Sequence, residues 1–242
     1  MNNTAIFIPM FNEEFRFRVD DYIDFIKDKK NKIDFYFLDD GSTDGTEDII
    51  KKYFLIESNV YLLSNESNIG KGKVLRKYIL EVFESRKKYI FYGFLDADLQ
   101  ISLNNLNEIN LKIESENYLI CMASRSALNK KNVSFRGMGS KLIVYAANRL
   151  LNFEKPINDT QCGCKIFHHS IIPSCFNDKF VSSWLFDIEI LLRYKKAKFE
   201  RNRIAEFQLS QIVEPLGGSK LRLSASIKIL KELIIINQKY AK

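Results

Sequence analysis

A chain of 242 residues that is 46% hydrophobic has enough apolar mass for one buried core, so residues 1–242 are expected to form a single domain. Its 37 basic against 30 acidic side chains leave a net charge of +7, which favours anionic partners such as nucleotides, anionic lipid surfaces or nucleic acid. Residues 1–10 lack a cationic stretch followed by an apolar one, and no run reaches the roughly 18 apolar residues of a membrane span, so a cytoplasmic protein, soluble or peripheral, is expected.

Thr4 to Pro9 is a short apolar run closed by proline, which predicts a buried first strand. A loop over Met10 to Glu14 feeds a helix expected from Glu13 to Lys30, with Phe17, Tyr22, Phe25 and Ile26 on its apolar face. Lys32 to Leu38 predicts a second strand, ending on Asp39 and Asp40 and followed by the turn-rich Gly41 to Thr46. Thr43 or Asp44 is placed to cap a helix running to Phe54. Val60 to Leu63 predicts a third strand, and Asn68 to Lys73 leads into a helix from Val74 to Ser85. There Lys71, flanked by glycines at a helix N-terminus, is a candidate anion contact. The glycine spacing is too short for a Walker loop, and no G-x-G-x-x-G occurs, which argues against a phosphate-loop NTPase and a nicotinamide-dependent dehydrogenase.

The strand predicted over Tyr89 to Leu95 runs into Asp96-Ala97-Asp98-Leu99-Gln100. If extended geometry persists through Ala97, the two carboxylates point to one side and converge on a cation. Hard oxygen ligands suit Mg2+ or Mn2+, which complete their shells with water and substrate phosphates. A solvated turn with locally bonded aspartates accounts for the same two residues. A helix over Leu103 to Ser115 and a strand over Tyr118 to Ala123 follow, so the chain alternates strand and helix as in a mainly parallel sheet covered on both faces. Such sheets bind ligands outside the carboxyl ends of their strands, where these acids would lie.

Ser124 to Ser134 reads as a polar loop flanked by Arg125 and Arg136, two candidate phosphate ligands, and Phe135 to Phe153 is helical in period. The polar run Asn158 to Lys165 interrupts an apolar region. In the following apolar helix from Trp184 to Leu192, Asp187 and Glu189 fall on different faces, so one acid is free to face a site while the other is solvated or paired. Either a functional acid of raised pKa or a structural ion pair fits such surroundings. Residues 198–209 suggest a last strand, 217–220 a turn, and Ser224 to Lys239 a basic amphipathic helix suited to packing on the domain or lying on an anionic bilayer. Cys121, Cys162, Cys164 and Cys175 lack zinc-site spacing and are expected to be reduced, and adjacent His168 and His169 are read as structural.

Taken together, PMFNEE at 9–14, DDGSTDGT at 39–46, NIGKGKVLR at 68–76 and DADLQ at 96–100 resemble the nucleotide-sugar half of the inverting family 2 glycosyltransferases, which have the GT-A (Rossmann-like) α/β fold. ASRS at 123–126, NDTQCGCK at 158–165, WLFDIEIL at 184–191 and GGSKL at 217–221 resemble the polyprenyl-phosphate branch, the dolichyl-phosphate β-glucosyltransferases above all. The resemblance divides the domain into a nucleotide-sugar half, 1–123, and an acceptor half, 124–242. It places Pro9, Phe11, Glu13 and Asp40 around the nucleoside, with Phe11 where the family often has tyrosine, and Asp96 and Asp98 at the metal and diphosphate with Gln100 nearby. It also places Arg125, Arg136 and Lys141 at the donor or acceptor phosphate, and Ser219 and Lys220 on a loop closing over the diphosphate. Cys164 departs from it, standing where relatives usually carry phenylalanine. The implied activity is metal-dependent transfer of glucose from UDP-glucose to polyprenyl phosphate, with transfer to a sugar hydroxyl in capsule or surface-glycan synthesis as the alternative. In the latter case Asp187, then Asp159, would be the general base. Nucleic acid is not an expected partner, since clustered acids gain a polyanion binder nothing.

Overall fold

The computed structural model describes residues 2–28, 32–129, 135–213 and 224–240. Seven strands form one sheet: β1 (Thr4–Met10), β2 (Ile33–Asp39), β3 (Val60–Ser64), β4 (Phe91–Leu95), β5 (Ile120–Ser124), β6 (Cys164–His168) and β7 (Ile204–Gln208). Their spatial order is β3-β2-β1-β4-β6-β5-β7. All neighbours are parallel except β6, which runs antiparallel to both β4 and β5. The mainly parallel sheet is as expected, whereas β6 is an addition. Its five residues are too few for periodicity to distinguish, and a lysine sits second among them.

Side chains alternate between two cores. Ala5 and Phe7 of β1 join the face covered by α3 (Lys71–Glu84), α6 (Phe135–Leu151), α7 (Ile172–Phe176), α8 (Phe186–Lys196) and α9 (Ser224–Tyr240). Ile6, Ile8 and Met10 join the face covered by α1 (Val19–Lys27), α2 (Thr46–Tyr53) and α4 (Leu103–Ser115). A short α5 (Ser126–Asn129) follows β5. Helix α9 turns Ile236 fully inward, so the amphipathic C-terminal helix packs on the domain. No helix among the described residues is long and apolar enough to cross a membrane.

Helix α1 starts at Val19 rather than Glu13: the N–H groups of Arg16 and Phe17 close one turn on Glu13 C=O (both 2.8 Å), but Arg18, at φ −85° and ψ 73°, leaves the helical region and the turn does not propagate. The N–H groups of Asn12, Glu13 and Glu14 donate to Ser42 Oγ (3.0 Å), Thr46 Oγ1 (2.8 Å) and Asp44 Oδ2 (3.3 Å), and Asn12 itself takes a left-handed φ of 52°. Residues 11–18 are therefore a loop clamped to the β2–α2 turn. The N-cap of α2 is Gly45, without a side-chain cap bond, rather than Thr43 or Asp44 as expected; Asp44, one residue earlier, accepts from Thr46 N–H (3.0 Å).

Candidate active site

The C-terminal ends of β1, β2 and β4 and the β3–α3 loop form one rim. Asp40 organises its left side. Its carboxylate, 3% exposed, accepts from Asn65 Nδ2 (2.8 Å) and from the N–H groups of Ile69 (3.0 Å) and Gly70 (2.8 Å), holding the loop that delivers Lys71 to the first turn of α3. Gly41 allows this approach: its φ is +73°, and a Cβ there would lie 2.7 Å from Ser67 backbone atoms. Asp39 beside it is buried and accepts from Ser42 N–H (3.3 Å); desolvation raises its pKa, and Ser42 only partly offsets this.

At the centre, Asp96 follows β4 directly, but extended geometry does not persist through Ala97. The chain turns, with Leu99 N–H donating to Asp96 C=O (3.3 Å) and Leu99 at a φ of +49°. The expected route to convergence, strand alternation, is thus replaced by a tight turn in which Asp98 Oδ1 accepts from Gln100 N–H (3.2 Å). The two acids still share surroundings, since both bear electrostatically on Lys71 and on the buried Tyr22. Lys71 Nζ lies 2.5 Å from Asp96 Oδ1. Partial burial lowers the pKa of this ammonium, but Asp96 first, then Asp187 and Asp98, raise it above its ordinary value. Asp96 also rests on Gly163, whose C=O accepts its N–H (2.9 Å) and where any Cβ would overlap its carboxylate.

On the right side, Asp159 and Arg125 form a two-pronged pair, Nε to Oδ2 at 2.8 Å and Nη2 to Oδ1 at 3.0 Å, and the Arg125 N–H adds a third bond at 3.0 Å. Burial alone would raise the Asp159 pKa; Arg125 overcomes it and holds the carboxyl below its ordinary value. Arg125 Nη1 reaches Gln100 Oε1 at 3.3 Å, linking this pair to the Asp98 turn. Below them lies Lys165 of β6, fully buried, with Nζ 2.7 Å from Asp187 Oδ1 and 2.7 Å from Cys162 C=O. Desolvation raises the Asp187 pKa against the pull of Lys165 and Lys71. Both ammonium groups lie against the Phe94 ring, Lys71 at 5.6 Å and Lys165 at 5.4 Å from its centroid.

Residues 5–176 match the glycosyl transferase family 2 model. The chain is 30% identical to dolichyl-phosphate beta-glucosyltransferase of Dictyostelium discoideum over 98% of this chain and 74% of that one. The chain belongs to glycosyl transferase family 2. It is 30% identical to the dolichyl-phosphate beta-glucosyltransferase of Saccharomyces cerevisiae, over 98% of this chain and 74% of that one. The human protein of that name is 29% identical over 98% and 75%. Among solved structures, glucosyl-3-phosphoglycerate synthase from Mycobacterium tuberculosis, in complex with Mn2+, UDP and glucosyl-3-phosphoglycerate, superposes with a TM-score of 0.68 at 16% identity, covering 99% of this chain and 80% of that one. The fold is GT-A, and the protein is a glycosyltransferase.

The transferase sets three polar groups side by side, Lys71 with Asp96, Asp98 with Gln100, Arg125 and Asp159, and Lys165 with Asp187; Asp96, Asp98 and Asp187 all act electrostatically on Lys71, and Asp40 holds the adjoining loop. Phe11 is 38% exposed on the β1–α1 loop, Pro9 lies in β1, and Glu13 is buried and paired with Arg16. Arg136 and Lys141 lie on α6 in a stretch, 135–142, whose side chains are outside the description, and Ser219 and Lys220 lie outside the described residues. Lys165 and Gly163 carry no role in the sequence-based expectations. A lysine inside the apolar run CKIF was the available signal for the first, since lysine is almost never fully buried unless paired.

Proposed function

We propose that this glycosyltransferase moves glucose from UDP-glucose to a polyprenyl phosphate with inversion at the anomeric carbon. The observation carrying this reading is the meeting of Lys71, Asp96, Asp98, Lys165 and Asp187 beside Phe94, in a chain whose relatives are named dolichyl-phosphate beta-glucosyltransferases. Asp96 and Asp98 fit a divalent ion. Among the described residues no cluster of three or more ligating side chains occurs, and Mg2+ or Mn2+ needs only one or two carboxylates when phosphates complete the shell. The chemistry supplied by an ion so held is neutralisation of charge growing on the departing diphosphate. Lys71, already cationic at a helix N-terminus, would bind the same diphosphate, and Asp40 would fix the nucleoside side through the loop it holds.

The reaction is a single displacement. An acceptor oxygen bonds to the anomeric carbon as the bond to the β-phosphate oxygen breaks, and the electron pair leaves with the nucleoside diphosphate. A phosphate acceptor is anionic near neutral pH and needs no strong base. A hydroxyl acceptor must lose a proton, and Asp187 would take it; Asp159 is poorly suited, because Arg125 occupies both of its oxygens. Asp187→Asn is therefore expected to cut transfer to polyprenyl phosphate by about tenfold, but transfer to a hydroxyl by about a thousandfold. Labelled sugar recovered in organic-extractable product measures the first and labelled glycan the second. Complete loss with the phosphate acceptor, in a folded variant, would contradict the proposal.

The outer face of α9 supports a contact with a membrane surface. Ile234 and Ile235 are 52% and 44% exposed there, among exposed Lys228, Lys231 and Lys239. A packed helix that still presents two isoleucines ringed by lysines matches an anionic bilayer. Flotation with phosphatidylglycerol-containing vesicles is expected to carry the protein, and Ile234→Glu with Ile235→Glu to abolish it. Equal flotation by the double variant would refute this contact.

A further inference from the structure

Five successive backbone N–H groups, those of residues 181–185, are taken by two buried carboxylates. Glu189 of α8 accepts from Val181 (3.2 Å) and from Ser182 (2.7 Å). Glu232 accepts from Ser183 at Oε1 (3.1 Å) and from Trp184 (2.9 Å) and Leu185 (3.1 Å) at Oε2. Glu232 is 6% exposed and belongs to α9, 47 residues beyond Leu185. Leu185 is the N-cap of α8 and its own side chain supplies no cap, so a helix remote in sequence satisfies the amide at this terminus.

The strap ends at Phe186 and Asp187. Phe186 packs against Phe94 in a tilted arrangement (5.9 Å between centroids) and lies under Lys71 (5.7 Å), while Asp187 meets Lys165 at 2.7 Å. Only Phe186 separates Asp187 from the last amide that Glu232 holds, so a shift of the strap is a shift of Asp187. The donor side is built mainly from the loops after β1 to β4 and meets the strap at Phe186 beneath Lys71; Glu232 touches none of those loops among its described bonds.

We infer that Glu232 is a positioning residue for Asp187: by gripping residues 183–185 it sets where the acid stands relative to Lys165 and Lys71. This rests on the proposed role of Asp187 in transfer. Helix α9 has other ties to the domain, the buried Ile236 and the Tyr240 hydroxyl bonded to Glu189 (3.0 Å) and accepting from Arg193 Nε (2.8 Å). Loss of the Glu232 contacts therefore loosens the strap without releasing the helix.

Glu232→Gln tests this, because an amide matches the size of the carboxylate but turns an NH2 donor toward at least one of the three N–H donors. With UDP-glucose and polyprenyl phosphate, kcat is expected to fall by about fivefold to tenfold while KM for the donor stays within about twofold. In an Asp187→Asn background the same change is expected to lower kcat by less than about twofold, because the two substitutions act through one group. Glu232→Asp, measured alongside, keeps a carboxylate on a shorter stem, and its kcat should fall between those of the parent and Glu232→Gln. Unchanged kcat in both Glu232 variants would overturn the inference, as would a full-sized effect of Glu232→Gln in the Asp187→Asn background. Full activity of Asp187→Asn alone would instead overturn the role of Asp187, and the inference with it.

Discussion

Asp96→Asn is expected to lower kcat/KM for sugar transfer by about a thousandfold with little change in stability. The asparagine keeps the size of the side chain but removes the charge that would hold a divalent ion against the diphosphate, and losses of this order accompany removal of a single preorganised electrostatic contact in an active site. Stability should change by only about 0–1 kcal/mol, because the Lys71–Asp96 pair is more than a third exposed on both sides and pairs of that kind contribute little. Steady-state kinetics and thermal unfolding on one preparation separate these effects. A large fall in melting temperature with activity preserved would reverse the assignment, making Asp96 a structural residue.

Lys165→Met is expected to have the opposite profile, a large loss of stability. Lys165 is fully buried and Asp187 is 5% exposed, so removing the ammonium leaves a carboxylate in the core without its 2.7 Å partner. Breaking a buried pair on one side costs about 3–5 kcal/mol. In a domain of this size that lowers the melting temperature by on the order of 10 °C. The loss should depend on pH. Desolvation raises the Asp187 pKa in the folded state above its unfolded value, so the folded protein holds this proton more tightly. That contribution is full below the unfolded pKa and is lost as pH rises through the folded one. The deficit of Lys165→Met should therefore shrink toward acid pH, and Asp187→Asn added to it should recover part of the lost stability at neutral pH. A deficit that does not vary with pH and is not relieved by Asp187→Asn would mean that Lys165 acts by packing alone.

Much of this architecture is legible in the chain itself, where local chemistry and tertiary structure agree. The helix expected over Leu103 to Ser115 is found with the same limits, because Ser102 caps it with a bond to Asn105 N–H (3.2 Å) and Leu106, Ile109 and Ile113 repeat at helical spacing toward the core. Strands β1, β2 and β4 are runs of apolar residues ended by proline or aspartate, and they are buried on both faces as parallel strands should be.

Partners distant in sequence explain the failures. Residues 13–18 have helical composition, yet only one turn closes there before Arg18 leaves the helical region, while Ser42, Asp44 and Thr46 tie the backbone of residues 12–14 to the β2–α2 turn. Strand β6 is marked by no pattern of its own and is held by the edges of β4 and β5, each of which pairs on its other side with β1 or β7. The site is affected in the same way. Asp96, Asp98 and Lys71 stand out because charge at the end of an apolar strand, or lysine between glycines at a helix start, is visible locally. The partnership of Lys165 with Asp187 and the grip of Glu232 on residues 183–185 join positions 22 and about 50 residues apart. Asp187 and Glu189, two acids in one apolar helix, divided as their spacing implies: one faces the site and the other is tied to Ser182 and Arg193.

In the proposed reaction Asp96 and Asp98 bind a nucleoside diphosphate through a divalent ion. Thermal unfolding with UDP, in Mn2+ or in EDTA, tests it most directly, because a ligand that binds only the folded state raises the transition by RT ln(1 + [L]/Kd). The expected result is a rise of several degrees with UDP and Mn2+ together, little with either alone, and none in Asp96→Asn. An equal rise in EDTA, or no response to UDP, GDP or dTDP under any metal condition, would contradict it.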